Sequence, residues 1–164
     1  MRIMGLDIST VCTGWCLLDT GNKGSPYVAS GFIKHKDPIM TNRFLVLNEE
    51  LGVLLKMYDI QNCIIEKPIF FLGKHASAQT VAVCHEVYGV ALFTLAYHNV
   101  PNIIEQHPAT TKSKLKIKRD APKKEAIHMT VRVLLPEART IKSQDELDAL
   151  GLALSVIIRP NGTL

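Results

Sequence analysis

The sequence predicts a mixed α/β fold in which a five-stranded sheet is flanked by helices. Three observations lead to this prediction. The first 34 residues contain three apolar segments separated by turn residues, as in an antiparallel meander. Further along, two short apolar segments end at prolines, as buried strands often do. Longer segments between and after them repeat apolar residues at helical spacing. The resulting element order, βββαβαβαα, indicates a layered α/β domain.

Each predicted strand is an apolar segment bounded by turn signals. The first three are Arg2–Ile8, Thr13–Thr20 and Tyr27–Lys34, and a cluster of Gly, Asn, Ser and Pro separates the last two. The fourth is Asn62–Glu66 and the fifth is Asn102–Gln106, each followed by a proline two residues later. These segments supply the five strands of the predicted sheet.

Four segments have the pattern of helices. Thr41–Tyr58 repeats apolar residues at steps of three and four, and Ala76–Tyr97 is rich in alanine and glycine. Pro122–Leu135 has proline in its first turn, and Gln144–Arg159 is apolar almost all round. Because no repeat, linker or second set of elements follows, we expect one domain over residues 1–164.

Composition excludes several classes of protein. With 47% hydrophobic and 21% charged residues, the chain can bury a full core, which excludes intrinsic disorder. We recognise no apolar run of the length that a membrane span requires, and the N-terminus lacks a signal-peptide layout. We therefore expect a cytoplasmic protein without membrane contact, with its cysteines reduced and mostly in the core. The four cysteines, which form no C-x-x-C pair, are Cys12, Cys16, Cys63 and Cys84.

Positive charge is concentrated in one segment, the basic strip of residues 112–124. The strip carries a net charge of +6, whereas the rest of the chain carries −2. Such a concentration is typical of a surface that binds a polyanion, although a solvated surface loop would look the same by charge alone. The basic residues of the strip are Lys112, Lys114, Lys116, Lys118, Arg119, Lys123 and Lys124.

Two acidic residues interrupt apolar strands. Asp7 lies within the first strand on the same face as Ile3 and Gly5, and Glu66 ends the fourth strand on the face of Ile64. A buried carboxylate without a partner is destabilising, so each needs a hydrogen-bond partner or a cation. For either residue alone, contact with solvent or with a helix end is the simpler explanation.

A second pair of acids lies on the last helix. Asp145 and Asp148 are three residues apart and so share a face, which continues to Leu152 and the sheet. A capping box that begins at Ser143 can explain Asp145, but not Asp148. Together with the two strand acids, this pair predicts a cage for Mg²⁺ or Mn²⁺. Two such ions would support hydrolysis of a phosphodiester.

Other candidates are weaker. Glu105 ends the fifth strand as Glu66 ends the fourth, and is its main rival. Phe70, Phe71 and Lys74 lie in an aromatic, basic segment that fits a DNA-facing loop, although a Phe pair is more often part of a core. The six histidines show no metal-binding spacing.

These motifs resemble those of the RuvC-type Holliday-junction resolvases, within the ribonuclease-H-like nuclease superfamily, over nearly the whole chain. Gly5–Thr10, followed by Thr13–Trp15, resembles the family's first acidic strand and its T-G-aromatic turn. Ile64–Glu66 is similar to the strand with the second acid, and Asp145–Ala153 to the D-x-x-D-A helix with the last two. Glu105–Lys112 falls where the family has a Glu-aromatic-x-Pro…Lys segment, which implies that Glu105 is not catalytic.

The resemblance implies a ribonuclease-H-like fold and a structure-selective endodeoxyribonuclease that cleaves Holliday junctions or other branched DNA. It implies that Asp7, Glu66, Asp145 and Asp148 are catalytic and bind two Mg²⁺ ions, with Mn²⁺ as a substitute. It also implies a homodimer, for which the small-residue helix Ala76–Tyr97 is our candidate surface. The expected DNA-binding residues are Phe70, Phe71, Lys74, Lys112, Lys114, Lys116, Lys118, Arg119, Lys123 and Lys124.

Some features depart from the family pattern. Ile8 and Ser9 stand where bacterial members usually have Pro-Gly, which points to a divergent, viral branch. Any of Ile69, Phe70 and Phe71 fits the family's junction-wedging aromatic position. The basic strip suits cleavage of other branched DNA as well as four-way junctions, and no segment suggests a site for a branch-migration motor.

Two other functions fit parts of the sequence. The first strand and its turn also resemble the phosphate loop of the actin and sugar-kinase ATPases, which need two such domains. A non-catalytic nucleic-acid-binding module would explain the basic strip but not four acids. ATP turnover without nucleic acid would favour the first, and DNA binding without cleavage the second.

Overall fold

The computed structural model describes residues 1–68, 77–117 and 123–158, without the side chains of residues 123 and 124. The predicted strands and helices are all present, with bounds within two residues of those expected. The elements are β1 (Arg2–Ile8), β2 (Cys12–Asp19), β3 (Tyr27–Lys34), α1 (Met40–Met57), β4 (Asn62–Glu66), α2 (Ala78–Tyr97), β5 (Asn102–Gln106), α3 (Pro108–Lys114), α4 (Lys123–Leu134) and α5 (Gln144–Ile157).

The short helix α3 is an addition to the predicted order. Pro108 occupies its first turn, and the His107 side chain caps it by accepting a hydrogen bond from the Ala109 amide. Only Thr111 in this helix is buried, so the segment lacks the apolar repeat that reveals longer helices. The basic strip therefore begins on a helix. A 3₁₀ turn over Pro136–Thr140 also precedes α5.

The sheet has the strand order β3-β2-β1-β4-β5. The first three strands pair antiparallel, as the predicted meander requires. β4 and β5 add parallel to the other edge of β1. β1 is therefore the central strand, and its carboxyl end lies beside that of β4.

Each face of the sheet has its own hydrophobic core. Alternate residues of a strand point to opposite faces, so Ile3 and Ile64 join one core while Met4 and Ile65 join the other. Helices α4 and α5 complete the first core, and α1 and α2 complete the second. The sheet thus separates two helical layers, one of which carries the aspartate pair.

Helix α2 is long and apolar enough to cross a membrane by length and composition, a property that we did not recognise in the sequence. In the fold, one side of it packs on the sheet and α1 through Val87, Ala91 and Leu95, all fully buried. The buried Thr94 hydroxyl donates to Asn48 Oδ1 of α1 at 2.9 Å. These contacts make α2 part of the second core.

Candidate active site

Asp7 and Glu66 end neighbouring parallel strands. Two residues before each acid, Gly5 of β1 lies opposite Ile64 of β4, and the same register brings Asp7 beside Glu66. Adjacent strands are about 4.8 Å apart. Gly5 and Ile64 both face α5, so by alternation the two acids belong to that face. The strand pairing therefore brings the two predicted strand acids together.

Two glycines let helix α5 lie directly on the sheet next to these acids. Gly14 of β2 pairs with Asp7, and a Cβ atom at Gly14 would lie 2.0 Å from the carbonyl oxygen of Asp145. A Cβ at Gly5 would lie 2.2 Å from the carbonyl oxygen of Ala149. Any other residue would force the helix away from the strands. Glycine therefore allows the first turn of α5, with Asp145, to dock beside Asp7.

The start of α5 is fixed by side-chain hydrogen bonds. The Ser143 hydroxyl accepts from the Glu146 amide at 3.3 Å, which is one of the two hydrogen bonds of the predicted capping box. The Glu146 carboxylate accepts from the Ser30 hydroxyl of β3 at 2.8 Å and so ties the helix to the sheet. This second contact orients the turn that carries Asp145.

Asp148 has a histidine partner that sequence reasoning missed. His128 of α4 lies with its Nε2 at 2.9 Å from Asp148 Oδ1. Both side chains are largely buried, with 9% and 14% of their surface exposed. A metal-binding spacing does not reveal this residue, because its partner lies on another helix. The residues one turn away on α4 include Glu125 and Arg132, so the sequence gives no sign that His128 is buried.

Two half-buried thiols adjoin the acids. Burial raises the pKa of Cys12 to about 12, helped by a hydrogen bond with Asp145 and by the charge of Asp7, while the charge of Lys34 opposes the rise. Burial and the charges of Asp7 and Glu66 also raise the pKa of Cys84. Both thiols are therefore protonated at neutral pH, and their shifts record a concentration of negative charge at this end of the sheet.

The rival acid, Glu105, lies on the other face of the sheet. It pairs with Ile65 of the second core, whereas Gln106 pairs with Glu66. Its carboxylate accepts a hydrogen bond from the Tyr88 hydroxyl at 2.5 Å and lies 3.7 Å from the Lys67 ammonium. Glu105 is thus separated from the aspartates of α5 by the sheet.

Gln106 of β5 lies beside Glu66 and has an amide side chain. The buried Gln106 side chain donates to the hydroxyls of Thr111 and Ser155, each at 2.8 Å. Its oxygen accepts from Lys114 Nζ at 2.9 Å. This network joins β5, α3 and α5, and it fixes one lysine of the basic strip one strand away from Glu66.

The donor set suits a hard divalent cation, because carboxylate oxygens are the ligands that Mg²⁺ and Mn²⁺ prefer. Within the described part of the chain, no three Asp, Glu, His or Cys side chains already converge closely enough to hold an ion. Carboxylates placed this close repel one another, and a cation offsets that repulsion. The backbone therefore places the four acids near one another, and their side chains must turn toward a common point to hold a metal.

Most of the predicted DNA-binding residues lie outside the described part of the chain. This applies to Phe70, Phe71, Lys74, Lys118 and Arg119, and to the side chains of residues 123 and 124. Ile69 lies outside it as well.

Three described lysines remain from the basic strip. Lys112 is half-buried, Lys114 is bound to Gln106, and Lys116 is exposed. Lys116 has a left-handed backbone, with φ of 57°, directly after α3. Leu115 and Ile117 still pack in the first core, so the strip follows the protein surface up to residue 117.

Comparison with known proteins places the chain among nucleases. The family model for crossover junction endodeoxyribonuclease RuvC matches residues 3–156. The RuvC of Neisseria meningitidis serogroup C is 29% identical over 167 residues, covering 99% of this chain and 88% of its own. That of Rhodopseudomonas palustris is 26% identical over 156 residues, covering 94% and 86%. These relatives are bacterial and give no support to the expected viral branch.

Solved structures show the same fold. Thermus thermophilus RuvC superposes with a TM-score of 0.77 at 21% identity, covering 94% of this chain and 92% of its own. The same protein in complex with Holliday junction substrate gives a TM-score of 0.78 at 17% identity, covering 94% and 91%. The predicted sheet and its flanking helices are confirmed by this likeness.

Proposed function

The chain belongs to the RuvC family of crossover junction endodeoxyribonucleases, and we propose that Asp7, Glu66, Asp145 and Asp148 form its active site. As a member, it is a metal-dependent endonuclease that resolves Holliday junctions. The family match covers nearly all of the chain, which disfavours the ATPase and the non-catalytic module.

One observation carries the assignment of the four acids. Gly5 and Gly14 allow α5 to pack directly on β1 and β2. The first turn of α5 therefore contacts Gly14, the residue of β2 that lies opposite Asp7. Asp145 and Asp148 come from a helix, and the other two acids come from the sheet that it covers. An arrangement that brings four hard oxygen donors together from rigid elements is suited to holding cations.

We assign Mg²⁺ as the metal, with two ions for each site and Mn²⁺ as a substitute. When bound, such a pair activates a water molecule and stabilises the leaving oxygen of a phosphodiester. The chain's own contribution is to hold the acids in place. The network around Gln106 keeps β5 and α5 together, and the contact between Ser30 and Glu146 keeps α5 on the sheet.

DNA binding is the proposed task of the basic strip. Lysines bind phosphates without reading sequence, which suits an enzyme that recognises a branched shape. Lys114 is anchored on Gln106, one strand from Glu66, and is therefore placed to bind a phosphate near the acids. Lys116 and the residues that follow it would bind the arms farther out.

A homodimer is the proposed active form. The outward side of α2 exposes Phe93 and Tyr97, at 63% and 70%, with their rings stacked at 5.9 Å. A Cβ at Gly89 on the same side would meet no atom within 4 Å, so another helix can approach there. A two-fold dimer would present two equal sites, and a four-way junction has approximate two-fold symmetry. The structure of Thermus thermophilus RuvC in complex with Holliday junction substrate supports a junction as the substrate of this chain.

Cleavage of labelled DNA of different shapes tests this function. We expect four-way junctions to be cut faster than flaps, duplexes or single strands, with Mg²⁺ or Mn²⁺ but not with EDTA. Ca²⁺ serves as a control for binding, because it takes longer and less regular oxygen contacts. Equal cleavage of all the shapes, or ATP hydrolysis without DNA, would contradict the proposal.

A further inference from the structure

We propose that His128 is a positioning residue for the metal site, which it serves by holding the carboxylate of Asp148 in its binding orientation. The inference rests on the proposed function, since it takes Asp148 to be a metal ligand. Its basis is the 2.9 Å contact between His128 Nε2 and Asp148 Oδ1 across two helices.

Close packing of α4 on α5 produces this contact. Gly151, one turn after Asp148, allows the approach, because a Cβ there would lie 2.7 Å from Cγ2 of Ile127. Ile127 directly precedes His128, and the fully buried Val131 one turn later packs in the same core. The histidine ring is therefore held by the helix interface and cannot follow the carboxylate if that turns away.

The hydrogen bond has two consequences for a metal ligand. An Nε2–H that donates to Oδ1 favours one orientation of the Asp148 carboxylate, the orientation in which it would bind a cation. It also gives Asp148 a hydrogen-bond donor, which offsets part of the repulsion from the three other acids of the proposed site. A carboxylate held in this way loses less freedom when it binds a metal, so the site binds metal more tightly.

A histidine that merely filled the core would contribute only to stability. Substitutions at two buried positions of α4 separate these roles. His128→Leu replaces the donor with an apolar side chain that fills a similar space. His128→Gln replaces it with an amide whose N–H reaches about as far as Nε2. Val131→Ala is the matched control, because it weakens the same helix interface without touching Asp148.

Mn²⁺ binding to the DNA-free protein, followed by electron paramagnetic resonance, provides a readout that is independent of cleavage. Thermal unfolding in EDTA measures stability alongside it. We expect His128→Leu to weaken Mn²⁺ binding by about 10- to 100-fold, the usual effect of losing a partner of a metal ligand. His128→Gln should recover most of that loss, and Val131→Ala should lower the unfolding temperature with unchanged Mn²⁺ affinity.

Asp148→Asn distinguishes failure of this inference from failure of the proposed function. If Asp148→Asn binds Mn²⁺ as tightly as the unaltered protein, Asp148 is not a ligand and the assignment of the site is wrong. If Asp148→Asn weakens binding but His128→Leu does not, the site stands and the role of His128 is refuted. Should His128→Leu fail to fold, His128→Asn takes its place, because its amide nitrogen lies too close to the backbone to replace Nε2, and unchanged Mn²⁺ affinity in that protein would overturn the proposal.

Discussion

Gly14 of β2 is in backbone contact with Asp145 of α5, so close that a methyl group at position 14 would lie 2.0 Å from the Asp145 carbonyl oxygen. The contact joins the strand opposite Asp7 to the first turn of the helix that carries two further acids. The distance between the candidate acids of the sheet and those of α5 therefore depends on glycine at position 14.

Substitution of this glycine should damage the site more than the fold. We expect Gly14→Ala to push α5 from the sheet and to lower the unfolding free energy by about 1–3 kcal/mol. Cleavage should fall further, by about 100-fold, because a displacement of about 1 Å can cost that much. An active Gly14→Ala protein would contradict this account.

Neutralising the acids should abolish cleavage without weakening DNA binding much. We expect Asp7→Asn, Glu66→Gln and Asp148→Asn to be inactive in gel assays, with junction affinity within several-fold of the original. Stability without metal should hold or rise, because each change removes repulsion between like charges. The control is Glu105→Gln on the opposite face. If Glu105→Gln were inactive and Glu66→Gln active, the choice of strand acid would be wrong.

The basic strip should determine the salt dependence of DNA binding. Each lysine that no longer binds a phosphate is expected to reduce the slope of log affinity against log salt by about 0.9 for duplex arms. A triple alanine variant at Lys114, Lys116 and Lys118 should therefore weaken the binding of all DNA shapes together and flatten this slope.

A second triple variant controls for net charge. Alanine at Lys23, Lys36 and Lys56, which are exposed and outside the strip, removes the same charge. We expect a much smaller change in slope for this protein. Equal slopes for the two variants would mean that the strip is a solvated loop rather than a phosphate-binding surface.

The outward face of α2 should control assembly. Phe93→Glu places a charge on an exposed position, so the subunit should fold normally but sediment as a monomer. Met129→Glu, at a similarly exposed position of α4, should leave the dimer intact. If Phe93→Glu stays dimeric, another surface must form the dimer.

Mixed dimers connect assembly to the two cuts. A dimer of one unaltered and one Asp7→Asn subunit should mainly nick a supercoiled plasmid that carries a junction, whereas unaltered dimers should linearise it. The physical reason is that each subunit has one site. A monomeric protein that still linearises the plasmid would refute the dimer proposal.

His35 should make the fold sensitive to acid. It is 2% exposed, its Nε2 lies 3.0 Å from the Thr13 hydroxyl, and its Nδ1 has no hydrogen-bond partner among the described residues. Burial, together with the nearby Arg43 charge, lowers its pKa below the usual 6.5. The unfolded chain therefore takes up a proton first as the pH falls, so the stabilisation present above pH 6.5 is lost progressively below it.

Chemical unfolding at several pH values tests the role of His35. We expect His35→Phe to be less stable at pH 7.5, because Thr13 loses its partner, but to lose less stability between pH 7 and pH 5. If the two proteins lose stability in parallel over this range, His35 is not the group that responds to acid.

The strands and long helices could be predicted because their signals are local. Apolar periodicity revealed α1 and α5, and flanking prolines revealed the ends of β4 and β5. Helix α3 was not predicted because Pro108–Lys114 buries only one residue, so its sequence has no apolar repeat at helical spacing. Local patterns indicate an element only where many of its side chains enter the core.

The candidate site was predictable in part for a similar reason. The four acids stand out as charges in apolar segments. The choice between Glu66 and Glu105 depends on strand register, which puts them on opposite faces. His128 depends on a contact between two helices, 20 residues apart in the chain, and no spacing rule contains that information.

The docking of α5 also has a consequence for synthesis of the protein on the ribosome. Chains grow at about 5–20 residues per second, and domains begin to fold while they emerge. A nascent chain that ends before residue 144 has Asp7 and Glu66 but lacks Asp145 and Asp148. It also lacks the helix that covers Ile3 and Ile64. Truncated products should therefore be unable to cleave DNA and should expose an apolar sheet, which makes them targets for chaperones and proteases.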